Sequence, residues 1–224
     1  MKERAFNVPA YSTSSVAELA IGLAISLLRE IPKAANIVQA GKWDLKPGFE
    51  LSGKKIGILG TGEIGITAAK YFNTFGCEVI GWSRSQREEF KKYGTYTNDL
   101  IELFSSADII SIHLPLNDKT KGIVGEKELS TMKSTSYIIN AARGPIIDKN
   151  ALYTILKEQK IAGAAIDVFD QEPLEKNSPF LQLSNVILTP HIAYKTVEAL
   201  HRRAQITIDN IVHFIKGKSI NKVN

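Results

Sequence analysis

The sequence predicts an α/β fold, a doubly wound parallel sheet with helices on both faces. Three observations predict it. Short apolar, β-branched runs alternate with segments of helical period along most of the 224 residues, the pattern of repeated strand–helix units. The runs are continuously apolar rather than alternating, as strands buried on both faces are. A glycine cluster of GxGxxG spacing closes the first run and opens the next helical segment.

Each element has its own justification. An apolar helical period predicts a helix over 16–30, with Ser15 and Glu18 reading as a capping box at its start. Pro47 and Gly48 mark the loop that leads to a first strand over 55–59. Further strands are predicted over 78–82, 108–113, 137–140, 164–169 and 186–188, with helices between them at 64–74, 97–104, 126–132 and 149–157. A last helix over 197–215 carries Leu200, Ala204, Ile208, Ile211 and Ile215 at helical spacing, a stripe suited to burial and expected to be left exposed where a covering lobe is absent.

Composition narrows the class. With 44% hydrophobic and 23% charged residues, disordered and fibrous classes are excluded. The longest apolar stretch, 17–28, is too short and too polar at its ends to span a bilayer, so no membrane association is expected. No leader with a cleavage site opens the chain, and the single cysteine, Cys77, has no internal partner. A soluble protein of the reducing cytoplasm is the expectation. The net charge of +5 comes from scattered lysines rather than a basic stripe, which fits an anionic ligand and not nucleic acid. No His/Cys cluster has metal-ligand spacing. His113, at a strand end, reads as a satisfied structural histidine, the alternative being a residue that touches the cofactor cleft.

The segment KKIGILGTGEIGITAAKYF places Gly60, Gly62 and Gly65 between an apolar strand and a helix. That context is what dinucleotide binding requires. Gly60 permits the tight turn, Gly62 lets a diphosphate approach the backbone, and Gly65 lets helix and strand pack closely, with the helix N-terminus facing the phosphates. A Rossmann-type NAD(P) domain follows. Where NAD sites carry an acid at the end of the second strand, this chain has Ser83, Arg84 and Ser85. Ser83 and Arg84 would donate to a 2′-phosphate, which favours NADP over NAD; the alternative is an Arg84 that points into solvent.

Three later segments end strands with polar residues. ARGPIID carries Arg143, AAIDVFDQEPL carries Asp167 and Glu172, and ILTPHIAY carries His191. Strand ends are where open α/β sheets bind ligands. An arginine, a glutamate and a histidine there, downstream of a phosphate loop, point to an enzyme.

With SVAELAIGL, LSGKKIGILGTGEIG, HLPLNDKT, INAARGPIID, AIDVFDQEPL and LTPHIA in order over nearly the whole chain, the sequence resembles the D-isomer-specific 2-hydroxyacid dehydrogenases. NVPAYST is most similar to the glycerate dehydrogenase and hydroxypyruvate reductase branch. The resemblance implies hydride transfer between NAD(P)H and a 2-oxo acid, with glyoxylate or hydroxypyruvate as the guessed substrate. It makes Arg143 the grip on the substrate carboxylate and carbonyl, His191 the acid/base and Glu172 its orienting partner. Asp167 would hold the nicotinamide carboxamide. Leu114, Ala141 and Ala142 would line the cofactor cleft, and Glu63 and Ile64 would offer backbone N–H groups to phosphate. It further implies a homodimer, a cofactor domain over 14–192, a substrate-domain remnant over 1–13, and a returning helix over 193–224. Roughly the first third of a full-length member would then be absent and turnover by these residues alone poor. Two rivals share the fold: a non-enzymatic dinucleotide sensor of the co-repressor type, and formate dehydrogenase, which pairs its histidine with glutamine where this chain has Glu172.

Overall fold

The structure is a computed structural model and describes residues 4–44 and 46–223. Its strands are β1 (Lys55–Leu59), β2 (Glu78–Trp82), β3 (Thr95–Tyr96), β4 (Ile109–Ile112), β5 (Tyr137–Asn140), β6 (Gly163–Ile166) and β7 (Val186–Leu188). Helices are α1 (Thr13–Leu28), α2 (Ile31–Gln39), α3 (Glu63–Thr74), α4 (Leu100–Ser106), α5 (Glu126–Leu129), α6 (Lys149–Lys157) and α7 (Val197–Ile215). The strands form one parallel sheet in the order β3-β2-β1-β4-β5-β6-β7. The chain therefore winds outward from β1 through β3, then crosses back to β4 and winds the other way. The reversal leaves a crevice beyond the carboxyl ends of β1 and β4, the usual ligand position in such sheets.

Each face of the sheet has its own core. Ala17, Ile21 and Ala24 of α1 and Ala68, Ala69 and Phe72 of α3 pack against Ile56, Ile58, Ile109 and Ile139 on one side. The alanines let the two helices come close to the strands and to each other. Leu103, Phe104, Leu129, Leu152 and Leu156 cover Ile110, Ile112 and Ile138 on the other. This is why the strands read as unbroken apolar runs: neither face meets water.

Several element boundaries differ from the sequence reading. α1 begins at Thr13, and Ser15 lies inside it with its hydroxyl donating to the Ser12 carbonyl at 2.9 Å, so the Ser15–Glu18 capping box does not form. The helix stops at Leu28, and Glu30 turns the chain with φ of 48° into α2, which has no buried residues and which the sequence reading did not predict. β3 spans two residues and was not predicted either. The helix expected from residue 97 starts at Leu100, because Asp99 caps it by accepting from Ile101 N at 2.8 Å. The 164–169 strand leaves the sheet after Ile166, freeing the residues that follow for the site.

In α7 the apolar stripe is not buried: Leu200, Ile208, Ile211 and Ile215 are exposed, as expected where a covering lobe is absent. The helix stands off the sheet and is held by the N-terminal segment: Arg202 Nε donates to Tyr11 O and Asn210 Nδ2 to Asn7 O. Among the described residues, no helix is long and apolar enough to cross a membrane.

Candidate active site

The crevice is a cleft of about 800 Å³. One wall is the phosphate loop. Gly60 has φ of 102°, and a Cβ there would meet the His113 carbonyl and Leu114 N at 2.8–2.9 Å. Gly62 opens α3 and has open space around it, the room a diphosphate needs. A Cβ on Gly65 would overlap the Gly60 carbonyl oxygen. Both obstacles at Gly65 are backbone, which cannot swing aside. Gly65→Ala is therefore expected to lower stability by about 1–3 kcal/mol and to weaken dinucleotide binding, read by urea denaturation and cofactor fluorescence; a neutral variant would show the corner to be slack.

Leu114 and Ala141 are buried in the cleft floor, with Ala142 half-buried beside them. His113 corrects an expectation. Its Nε2 pairs with Ser111 Oγ at 2.9 Å, but its Nδ1 is buried without a partner, so it is not a satisfied structural histidine. Burial pushes its pKa down to about 4. The glycine-lined cradle and this orphaned nitrogen fit a polar, phosphate-bearing ligand in the cleft.

The adenosine side is held by contacts that the sequence did not reveal. Thr61 Oγ1 and Tyr96 OH lie 2.7 Å apart, and Tyr96 OH accepts from Arg87 N at 2.9 Å. Arg87 Nη1 meets Glu63 Oε1 at 2.6 Å. Ser83 is half-buried at the end of β2, while Arg84 is exposed.

The opposite wall carries the chemistry. His191 follows β7 with φ of 51°, a left-handed turn rare for a non-glycine residue. Asp167 imposes that turn. Its carboxylate is fully buried and accepts from Thr189 Oγ1 at 2.6 Å and from Ile192 N and Ala193 N at 2.9 Å each, while its carbonyl accepts from His191 N. Asp167 does not line the cleft. It fastens the segment that presents His191.

Glu172 Oε2 lies 2.7 Å from His191 Nδ1, and Glu172 Oε1 accepts from Phe169 N at 3.0 Å. Desolvation pushes the Glu172 pKa up, but hydrogen bonds from His191 and Phe169 and the charges of His191 and Arg143 outweigh it and hold the carboxyl below its usual 4.5. The sign follows: a depressed folded pKa stabilises the fold above the usual value and is lost as pH falls through the folded one. The stability gap between the parent and Glu172→Gln should therefore close as pH drops below about 4; a gap that stays constant with pH would show that the charge is not what matters.

Arg143 follows β5 and is exposed on the cleft wall shared with His191. Buried Asn140 shapes its turn, donating from Nδ2 to Arg143 O and accepting at Oδ1 from Ala142 N. One guanidinium N–H goes to Ala142 O at 2.6 Å. Arginine and histidine thus share one cleft with the phosphate loop, and Glu172 stands behind His191 on its far side. Tyr194 sits edge-on to His191, with ring centroids 5.4 Å apart. Arg203 and Tyr11, which the sequence reading did not single out, line the same cleft.

Residues 21–193 match the family model described as D-isomer specific 2-hydroxyacid dehydrogenase, NAD binding domain. The chain belongs to the D-isomer-specific 2-hydroxyacid dehydrogenase family. Among curated relatives, it is 40% identical over 221 residues to a glyoxylate reductase of Thermofilum pendens, covering 95% of this chain and 65% of the relative. A glyoxylate reductase of Aeropyrum pernix is also 40% identical, with 95% and 66% covered. The chain thus spans a little under two-thirds of these relatives. Among solved structures, the acyclic imino acid reductase Bsp5, in complex with NADPH and D-Arg, superposes with a TM-score of 0.89 at 34% identity, covering 99% of this chain and 71% of that one. D-lactate dehydrogenase from Aquifex aeolicus, complexed with NAD and lactic acid, gives 0.89 at 33%, covering 96% and 70%. The family assignment and the parallel sheet agree with the sequence reading.

Proposed function

We propose that this chain binds a nicotinamide dinucleotide and reduces a 2-oxo acid to a D-2-hydroxy acid. The observation that carries the reading is the His191–Glu172 contact at 2.7 Å, with His191 on the cleft that Gly62, Glu63 and Ile64 of the phosphate corner also line. The nicotinamide supplies the hydride. Arg143 grips the carboxylate and the neighbouring carbonyl oxygen, because its planar fork matches both. Glu172 holds Nδ1 of His191, which leaves Nε2 to give the carbonyl oxygen its proton and to take it back in the oxidation direction. The neighbours bound to NADPH and to NAD support a dinucleotide site, and the reductase names of the relatives support catalysis over a non-enzymatic sensor. A cofactor domain over 14–192, a cytoplasmic setting and a homodimer belong to the same proposal.

NADP is the proposed cofactor, because Ser83 and Arg84 stand where an acid would select NAD. Arg84→Ala should weaken NADPH binding about tenfold or more and NADH little, since a charge-assisted phosphate contact is lost. Equal weakening of both cofactors would sink this choice. The function as a whole is tested by following NADPH and NADH oxidation with glyoxylate, hydroxypyruvate and pyruvate. Turnover of none of them by a full-length version that carries these residues, with either cofactor bound, would overturn it.

A further inference from the structure

Glu63 and Arg87 are joined in a way that the fold does not require. Their ion pair is 2.6 Å long, but the side chains are 63% and 41% exposed, so it adds little stability. Glu63 is the first residue of α3, and a carboxylate at a helix N-terminus is ordinary. Its partner is not: Arg87 lies twenty-four residues on, in the loop after β2. That loop is fixed against the phosphate corner, since Arg87 N donates to Tyr96 OH, which is bonded to Thr61 between the first two glycines. Arg84, by contrast, makes no hydrogen bond or ion pair among the described residues. The structure thus holds one guanidinium at a set place on the adenosine side and sets an anion against it.

We propose that Glu63 and Arg87 form a charge gate that decides which dinucleotide the cleft accepts. Arg87 is the counter-ion of a 2′-phosphate, and Glu63 is the anion that competes for it. The inference rests on the cleft being a dinucleotide site. A guanidinium has five N–H donors, and the contact to Glu63 occupies only one edge of the fork. A 2′-phosphate arriving beside Ser83 takes the free edge, but it then lies near the Glu63 carboxylate and is repelled by it. With Glu63 ionised, Arg84 and Arg87 leave one net positive charge for the phosphate; without it they leave two. NAD, with a hydroxyl at that position, has no anion there for either residue to act on. Glu63 therefore costs NADP more than NAD, and Arg87 favours NADP alone. The pair would hold the site between the two cofactors, and changing either member would move it in a known direction.

The test is the binding of NADPH and NADH to the 224-residue chain and its variants, measured by nicotinamide fluorescence. E63Q keeps the size and the hydrogen-bond acceptor but removes the charge. It should tighten NADPH about tenfold and NADH about twofold or less, the smaller effect reflecting the more distant diphosphate. R87A should weaken NADPH about tenfold or more and NADH under threefold. In the E63Q/R87A double variant the gain from E63Q should be smaller, because the share due to the freed guanidinium is absent and only the relief of direct repulsion remains; the cycle measures that coupling directly. Both side chains are exposed, so matching thermal melts are expected and keep the comparison clean. Equal tightening of the two cofactors by E63Q, weaker NADPH binding in E63Q, or the same E63Q gain without Arg87 would each overturn the gate. If neither cofactor binds the parent chain, the dinucleotide reading itself fails and the gate with it.

Discussion

Replacing His191 by alanine should lower turnover of a 2-oxo acid by about 10²–10⁴-fold, the range of a positioned general acid. Binding of NAD(P)H should change little. The separation follows from geometry. The phosphate corner lies on the β1–α3 side of the cleft, whereas His191 stands after β7 with Nδ1 on Glu172 at 2.7 Å. Glu172→Gln should give a smaller loss, because the amide oxygen can still accept from Nδ1 and keep the ring oriented, though without a charge. Steady-state kinetics with saturating cofactor, paired with fluorescence titration, separates the two effects. Near-normal turnover in His191→Ala would remove the acid/base assignment, and equal losses of binding and turnover would make the residue a cofactor contact.

Replacing Asp167 by alanine should cost about 3–4 kcal/mol of stability, although the residue touches no part of the cleft. Its carboxylate satisfies the Thr189 hydroxyl and the backbone N–H groups of Ile192 and Ala193. Leaving several buried donors unpaired carries a desolvation penalty of about 1–3 kcal/mol each, part of which local rearrangement recovers. Turnover should fall with it, since the left-handed turn at His191 is uncommon for a residue with a side chain and holds only while its surroundings impose it. Asp167→Asn should lie between, keeping one acceptor oxygen. Urea denaturation gives the stability; a loss below about 1 kcal/mol, the worth of one ordinary hydrogen bond, would show that the 189–193 segment keeps its shape unaided. A variant folded normally but with weak cofactor binding would return Asp167 to the nicotinamide contact that the family resemblance implies.

These two residues mark how far the sequence reaches. His191, Glu172 and Arg143 were legible because each is a reactive side chain immediately after an apolar run, and strand ends in a parallel sheet all open on one edge. Asp167 was legible as a residue of interest but not as an anchor, since LTPHIA shows no sign that its backbone N–H groups turn back to a strand neighbour more than twenty positions earlier. Arg87 was not legible at all. It sits in a charged loop of ordinary composition, and only the pairing of β1 with β2 and of β2 with β3 brings Tyr96, itself bonded to Thr61, to its backbone and Glu63 to its side chain.

The sequence by itself determined the strand–helix alternation, the phosphate corner and the three reactive residues, because periodicity, glycine spacing and strand-end position are local properties. The tertiary structure alone decided the two-residue β3 and the helix α2, which has no buried residues. It also decided the orphaned Nδ1 of His113, the Asp167 anchor and the Glu63–Arg87 pair. The α7 stripe shows the limit most plainly: Leu200, Ile208, Ile211 and Ile215 have the spacing of a buried face yet are exposed. Periodicity says that one side of a helix is apolar, but what covers that side depends on where the helix is placed, and α7 is placed beside the N-terminal segment and off the sheet.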